Sequence, residues 1–372
     1  MHSLYNWPVV RKIAPGILFL CVFTFTFHPS LINSSEKGQP LALETDVPLP
    51  ETLTLCGEPI PLYDPWVWEM LDRELTIMVW NKAQVFMWIK RSGRYFPYVE
   101  EKLRQEGLPE DLKYLTVAES SLVPNIKSAS GAMGIWQLME PLAKEKGLRS
   151  DNRMDERRDL EQATQAALIF LNSLKKTFGT WTLAMAAYNC GADRLKREMK
   201  EQQQTDYYKL NLPEETERYI FRIAAVKLIM ENPEGYGYRV PVEKMYKPIS
   251  CDEVKVSVNT PIHLTEFSKD LGTYPKVIKD LNPQIIGYYL PTGTYVIRTP
   301  SGTGLKVAEV LKYLLAKAAS QPGPTYGKTH TVKAGETLLR ISRKTGVSID
   351  QIKRLNNIRG SLIRPGQHLR LE

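Results

Sequence analysis

The stretch from Gly107 to Gln137 constrains this chain most, because it places one carboxylate on a helix face that is otherwise apolar. Gly107-Leu108-Pro109-Glu110-Asp111 predicts a helix start, with a proline in the first turn and acids at the positive end of the dipole. At 3.6 residues per turn, Leu112, Leu115, Glu119 and Leu122 then share one face. Glu119 is the lone charge on that face and falls in the last turn. Burial and the negative helix end both disfavour its ionised form, which raises its pKa toward the range a general acid needs. A structural glutamate paired with an arginine is the commoner meaning of such a residue. The segments downstream decide between the two.

Pro124 closes the helix neighbourhood, and Ser128-Ala129-Ser130-Gly131-Ala132-Met133-Gly134-Ile135-Trp136-Gln137 follows. Its two glycines permit positive φ angles and close backbone approach. Later, Trp181, Ala184, Met185 and Tyr188 share a helix face that ends in Asn189-Cys190-Gly191. A third segment reads Pro213-Glu214-Glu215-Thr216-Glu217-Arg218-Tyr219. Each is ordinary alone: a turn, a core tyrosine, a helix start.

Together these three segments resemble the lysozyme-like lytic transglycosylases of bacteria, the membrane-bound transglycosylase D type above all. The resemblance implies a mainly α protein, with a lysozyme-like all-helical catalytic domain. It makes Glu119 the single catalytic acid and base. Ser128 and Gln137, nine and eighteen residues further on, would hold the N-acetyl sugar, and Tyr188, Asn189 and Glu215 would shape the substrate site. Glycosidases that work with two carboxylates need a second one. The acids of Asp155-Glu156-Arg157-Arg158-Asp159 are expected in a solvated or salt-bridged segment instead. The implied reaction needs one acid. Glu119 protonates the oxygen bridging MurNAc and GlcNAc, then takes a proton from the C6 hydroxyl of the same MurNAc, and a 1,6-anhydro sugar results. A muramidase of goose-lysozyme type, using water, is the alternative within enzymes. A non-catalytic peptidoglycan-binding scaffold is the alternative outside them, and the complete Glu119, Ser128, Gln137, Tyr188 set speaks against it.

The C-terminal stretch has a different texture. His330-Thr331-Val332-Lys333-Ala334-Gly335-Glu336-Thr337-Leu338 predicts a strand and turn, two short helices end at Asn356-Asn357, and a last strand follows Pro365-Gly366-Gln367. This small α+β (βααβ) pattern resembles a LysM domain, a module that binds N-acetylglucosamine polymers. Shifted back by 74 residues, a weaker copy places Val258, Leu264, Ser268, Gly272, Ile278, Asn282 and Pro291 where the tail has Val332, Leu338, Ser342, Gly346, Ile352, Asn356 and Pro365. The copy has Thr260-Pro261-Ile262-His263 at its sugar-binding turn, against Ala334-Gly335-Glu336-Thr337 in the tail.

The chain of 372 residues is long enough for several domains. The expected order is a signal peptide or membrane anchor over 1–29, a linker over 30–57 and the transglycosylase domain over 58–245. A degenerate LysM-like module follows over 250–300, then a helix and linker over 301–328, and the LysM domain over 329–372. Helices from Trp66 to Phe96 are expected around the outside of the catalytic domain, with breaks at Gly93, Gly107, Pro124, Gly147 and Pro213. Arg11 and Lys12 precede an apolar run from Ile13 to Phe27, which predicts export to the cell envelope or an uncleaved anchor. Leu20 stands where a lipobox before Cys21 would need a small residue. The net charge of +8 fits an anionic wall or membrane surface. The basic residues are scattered and no nucleic-acid motif occurs. The five histidines have no ligand spacing, so neither metal nor cofactor is expected. Cys56 and Cys251 flank the catalytic region and could pair in an oxidising compartment.

Overall fold

The computed structural model describes residues 47–320 and 329–371. The expected signal or anchor lies outside them. Among the described residues no helix is long and apolar enough to cross a membrane.

The chain enters through a hairpin, β1 (Leu53–Leu55) against β2 (Glu58–Ile60), turning on Cys56 and Gly57, both at positive φ. That is the turn a two-residue hairpin favours. Residues 53–57 were expected in a linker, yet Leu53, Leu55 and Ile60 are buried in the main core. The hairpin is also tied down by charge. Glu58 accepts the backbone N–H groups of Trp181 (2.6 Å) and Thr182 (3.1 Å), and Lys227 Nζ donates to the Thr54 carbonyl (2.9 Å).

Next come α1 (Pro65–Trp80), capped by Asp64, and α2 (Lys82–Gln105). They do not lie outside the domain. Val67, Leu71 and Leu75 of α1 and Val85, Trp88 and Leu103 of α2 belong to the same core as the helices that follow. Gly93 does not break α2. It lets the chain cross closely, since a Cβ there would sit 3.0 Å from the Tyr246 carbonyl oxygen. A 3-10 turn (Glu110–Leu112) leads into α3 (Lys113–Ser120), followed by α4 (Glu140–Glu145), α5 (Leu160–Phe178), α6 (Trp181–Cys190), α7 (Ala192–Glu201) and α8 (Glu214–Glu231). Trp136, Leu168, Leu171, Met185, Ile220 and Ala224 fill the centre of this core.

A second core follows. β3 (Cys251–Val258) pairs antiparallel with β6 (Gly293–Pro300), and β4 (Ile262–His263) with β5 (Tyr289–Leu290). α9 (Leu264–Asp270) and α10 (Pro275–Leu281) lie between them in sequence. α11 (Gly304–Ser320), expected as a connecting helix, adds Val307, Leu311 and Leu314 to this core. A third core is built by β7 (Thr329–Thr331), α12 (Leu338–Thr345), α13 (Ile349–Leu355) and β8 (His368–Arg370).

The two small modules share the βααβ order, to which the first adds the short β4–β5 pair, and they share a side-chain bond. Asn282 donates to the carbonyls of Ile278 (2.7 Å) and Arg298 (2.6 Å) and accepts the Arg298 N–H (2.8 Å). Asn356 makes the same three bonds to Ile352 and Arg370. In each case the asparagine ends the second helix and joins it to the last strand. Cys56 lies in the first core and Cys251 on β3 of the first small module. Both are free thiols, so the expected pairing does not form.

Asn282 is fully buried, whereas Asn356 is partly exposed. Asn282→Ala should therefore cost about 1–3 kcal/mol, because water cannot replace the lost partners, while Asn356→Ala should cost less. Denaturant unfolding of each variant checks this, and equal losses would contradict it.

Candidate active site

α3 delivers Glu119 as expected, with Leu112, Leu115 and Leu122 buried beside it. The helix stops because Ser121 and Leu122 both take positive φ, which costs energy in residues with a side chain. Surrounding contacts hold them there. Leu122 is buried, Arg91 of α2 donates to the Ser121 carbonyl (3.0 Å), and Gln84 donates to the Ser121 hydroxyl (3.2 Å). The helix end just after the acid is thus fixed by α2.

The Ser128–Leu138 loop is held from inside and outside. Ser128 Oγ accepts from the Ala132 N–H (2.9 Å) and lies 2.9 Å from Ser130 Oγ. Gln137, itself at positive φ, donates its amide to the carbonyls of Gly134 (2.7 Å) and Ile126 (3.2 Å). Gly134 is required by space. A Cβ there would lie 1.9 Å from the Arg157 carbonyl oxygen. Trp136 is wholly buried and donates to Thr164 on α5 (2.9 Å), and Ser120, next to the acid, donates to the Ile135 carbonyl (2.9 Å).

Two tyrosines approach the acid. Tyr188 ends the apolar stripe of α6, but its hydroxyl donates to the Trp136 carbonyl (2.6 Å) rather than to Glu119. The phenol on the acid is Tyr219 of α8, which donates to Glu119 Oε1. Tyr219 belongs to the third segment read from the sequence and stands four residues after Glu215, one helical turn on. A tyrosine inside an apolar helix looks like core, so that signal alone did not single it out. Asn189 Oδ1 accepts from Thr216 Oγ1 (2.8 Å), which joins the end of α6 to the start of α8.

Burial pushes the Glu119 carboxyl up to about 7. The Tyr219 hydroxyl and the Arg222 charge oppose this, and the Glu215 carboxylate reinforces it. Arg222 is partly engaged elsewhere, because buried Glu74 of α1 lies 3.6 Å from it and 2.6 Å from Arg218. Tyr219 and Tyr188 are themselves pushed well above the usual phenol range, by burial and then by the Glu119 charge. Glu119, Tyr219, Tyr188 and Glu215 therefore form one electrostatic group. Ser128, Gln137 and Asn189 shape the chain beside it.

Of the two expectations for the 155–159 run, solvated or salt-bridged, Asp155 and Asp159 follow the second: both are buried and ion-paired, while Glu156 is half-buried. Asp155 takes the Arg157 guanidinium through two bonds of 2.8 Å, and Asp159 caps α5 and pairs with Arg298. Both are committed to structure. Among the described residues no cluster of three or more metal-ligating side chains occurs.

The transglycosylase SLT domain family matches residues 97–211, and the LysM domain family matches residues 330–372. The membrane-bound lytic murein transglycosylase D of Escherichia coli strain K12 is 29% identical over 304 residues, covering 78% of this chain. The chain spans 66%, just under two thirds, of that relative's length. The N-acetylmuramoyl-L-alanine amidase sle1 of Staphylococcus aureus strain USA300 is 51% identical over 43 residues, 12% of this chain and 13% of that one. The 70 kDa soluble lytic transglycosylase SLT70 of Escherichia coli is a solved structure with 22% identity and a TM-score of 0.30, over 34% of this chain and 22% of that one. The chain thus matches the transglycosylase SLT domain family over residues 97–211 and the LysM domain family over residues 330–372, and it is similar to membrane-bound lytic murein transglycosylase D.

Proposed function

We propose that the chain is a peptidoglycan lytic transglycosylase of the bacterial envelope. The observation that carries this reading is a carboxyl held near neutrality at the end of α3, inside a matching SLT domain. Glu119, protonated, gives its proton to the oxygen between MurNAc and GlcNAc, and the substrate's own N-acetyl group stabilises the oxocarbenium-like centre. The carboxylate that forms is met by the Tyr219 hydroxyl. It then takes the proton of the C6 hydroxyl, which closes the 1,6-anhydro ring on MurNAc and consumes no water. An internal hydroxyl is already held by the bound sugar, so proximity favours it over free water.

Ser128, Gln137, Tyr188, Asn189 and Glu215 line and orient the sugar in this reading. The Oε1 atom of Gln137 has no partner among the described residues, so it is free to accept from an N-acetyl N–H. The C-terminal LysM domain holds the enzyme on the glycan polymer and raises the effective substrate concentration at the acid. Export through the N-terminal segment, with cleavage or retention as an anchor, belongs to the same proposal.

Glu119→Gln is close to isosteric. It should keep the fold and lose glycan cleavage by a factor on the order of 10² to 10⁴. Digesting purified sacculi in ¹⁸O-labelled water with the wild-type protein separates transglycosylase from muramidase. Unlabelled 1,6-anhydroMurNAc ends are expected. Label at a reducing MurNAc end would instead make Glu215, whose charge reaches Glu119, the candidate base of a hydrolase.

The raised carboxyl also sets a pH window. The folded state binds this proton more tightly than the unfolded chain does. Its stabilising contribution is full below about 4.5 and is lost as pH rises through about 7. Glycan cleavage should fall above pH 7 for the same reason. At pH 8 Glu119→Gln should be more stable than wild type by about 1–3 kcal/mol. Tyr219→Phe removes a bond that favours the carboxylate, so the alkaline limb of its pH profile should move to higher pH. A shift to lower pH would contradict the role given to Tyr219.

A further inference from the structure

The second core contains one residue from the catalytic domain. Met154 is buried among the apolar residues of the first βααβ module. Its segment pairs with the module as a short antiparallel bridge, Met154 against Ile285. The Asp155 N–H donates to the Gln284 carbonyl (2.8 Å), and the Ile286 N–H donates to the Arg153 carbonyl (2.8 Å). Arg298, on the last strand of the module, reaches Asp159, and it lies 3.0 Å from Glu161 and 2.8 Å from Glu253. The module is therefore fastened to both ends of the Asp155–Asp159 turn.

That turn is fastened in its own right to the loop beside the acid. The Arg157 guanidinium, paired with Asp155, donates to the carbonyls of Gly131 (3.0 Å) and Leu138 (3.2 Å). Those carbonyls bracket the part of the loop that carries Gly134 and Gln137. Arg157 is 5% exposed, so its bonds face no competition from bulk water. The C-terminal module gives an internal comparison. Its Arg370 stands beside Asn356 as Arg298 stands beside Asn282. Yet Arg370 is exposed, and its guanidinium has no partner among the described residues. Among the described residues, then, the arginine beside the stapled asparagine is engaged in the first module only.

We propose that the first βααβ module is a positioning element of the active site: it fixes the Asp155–Asp159 turn through Gln284, Ile286 and Arg298, and Arg157 passes that constraint to the Gly131–Leu138 loop. Arg157 is a positioning residue here and touches no substrate. The proposal rests on the transglycosylase reading only for its effect on turnover. The mechanical link stands without it.

The test is hydrogen exchange on the full-length chain carrying Arg298→Ala together with Ile286→Pro, which removes the anchoring charge and one bridging N–H. Lys317→Ala, which breaks an exposed ion pair within the module, is the control. Far-UV circular dichroism and the exchange of α8 amides confirm that the catalytic domain remains folded. The expected result is faster exchange at Asp155 and, with it, faster exchange at Ala132, Met133 and Leu138, on the order of tenfold or more. KM for soluble glycan strands should rise more than kcat falls, and Arg298→Lys alone should restore part of the loss. Faster exchange at Asp155 with an unchanged Gly131–Leu138 loop would overturn the proposal. Unchanged exchange at both would do so as well, because the named anchors would then not hold the module. A wild-type protein inactive on glycan would fail the functional reading and leave the exchange result standing.

Discussion

The desolvation of one carboxyl governs the rest of this site. A glutamate in water is almost wholly ionised at neutral pH and cannot serve as an acid. In the proposed mechanism Glu119 can serve, because the end of α3 is set into a core whose neighbours penalise charge more than Tyr219 and Arg222 compensate it. The balance is fine. Tyr219 makes the carboxylate tolerable once the proton has left. Glu74, by drawing on Arg222, limits how far that cation favours it beforehand.

Such a balance needs fixed surroundings, and the fold over-determines them. Ser121 and Leu122 take left-handed backbone positions immediately after the acid and are held by α2. Gly134 faces the Arg157 carbonyl where no side chain fits. Arg157 and Asp155 form a buried ion pair, and such pairs add little net stability once desolvation is counted. Their value lies in direction. A planar guanidinium bonded to two carbonyls and a carboxylate leaves the loop one arrangement.

How much of this was legible in the sequence depended on range. Glu119, its apolar neighbours and the two βααβ modules came from local periodicity and an internal repeat, and such patterns survive folding unchanged. The repeat even preserved the asparagine that staples each module. Features set by distant partners were not legible. The 155–159 run read only as solvated or salt-bridged, because Arg298, the partner of Asp159, lies 139 residues away. Gly93 read as a break because Met245 and Tyr246, which need the space, come from beyond the catalytic helices. Residues 53–57 read as linker because their apolar side chains are few, and only the assembled core shows where they go. Tyr219 was in view but indistinguishable from a packing residue until the acid stood beside it.

The account rests on the protonation of Glu119 near neutral pH, and a direct titration tests that. Carbon-13 NMR of the protein labelled at glutamate side-chain carboxyls, with Glu119→Gln used to assign the resonance, follows this one group from pH 4 to 9. The account predicts a midpoint at about 7. A midpoint near the ordinary glutamate value of about 4.3 would mean the carboxyl is ionised at working pH, and the acid role given to Glu119 would be wrong.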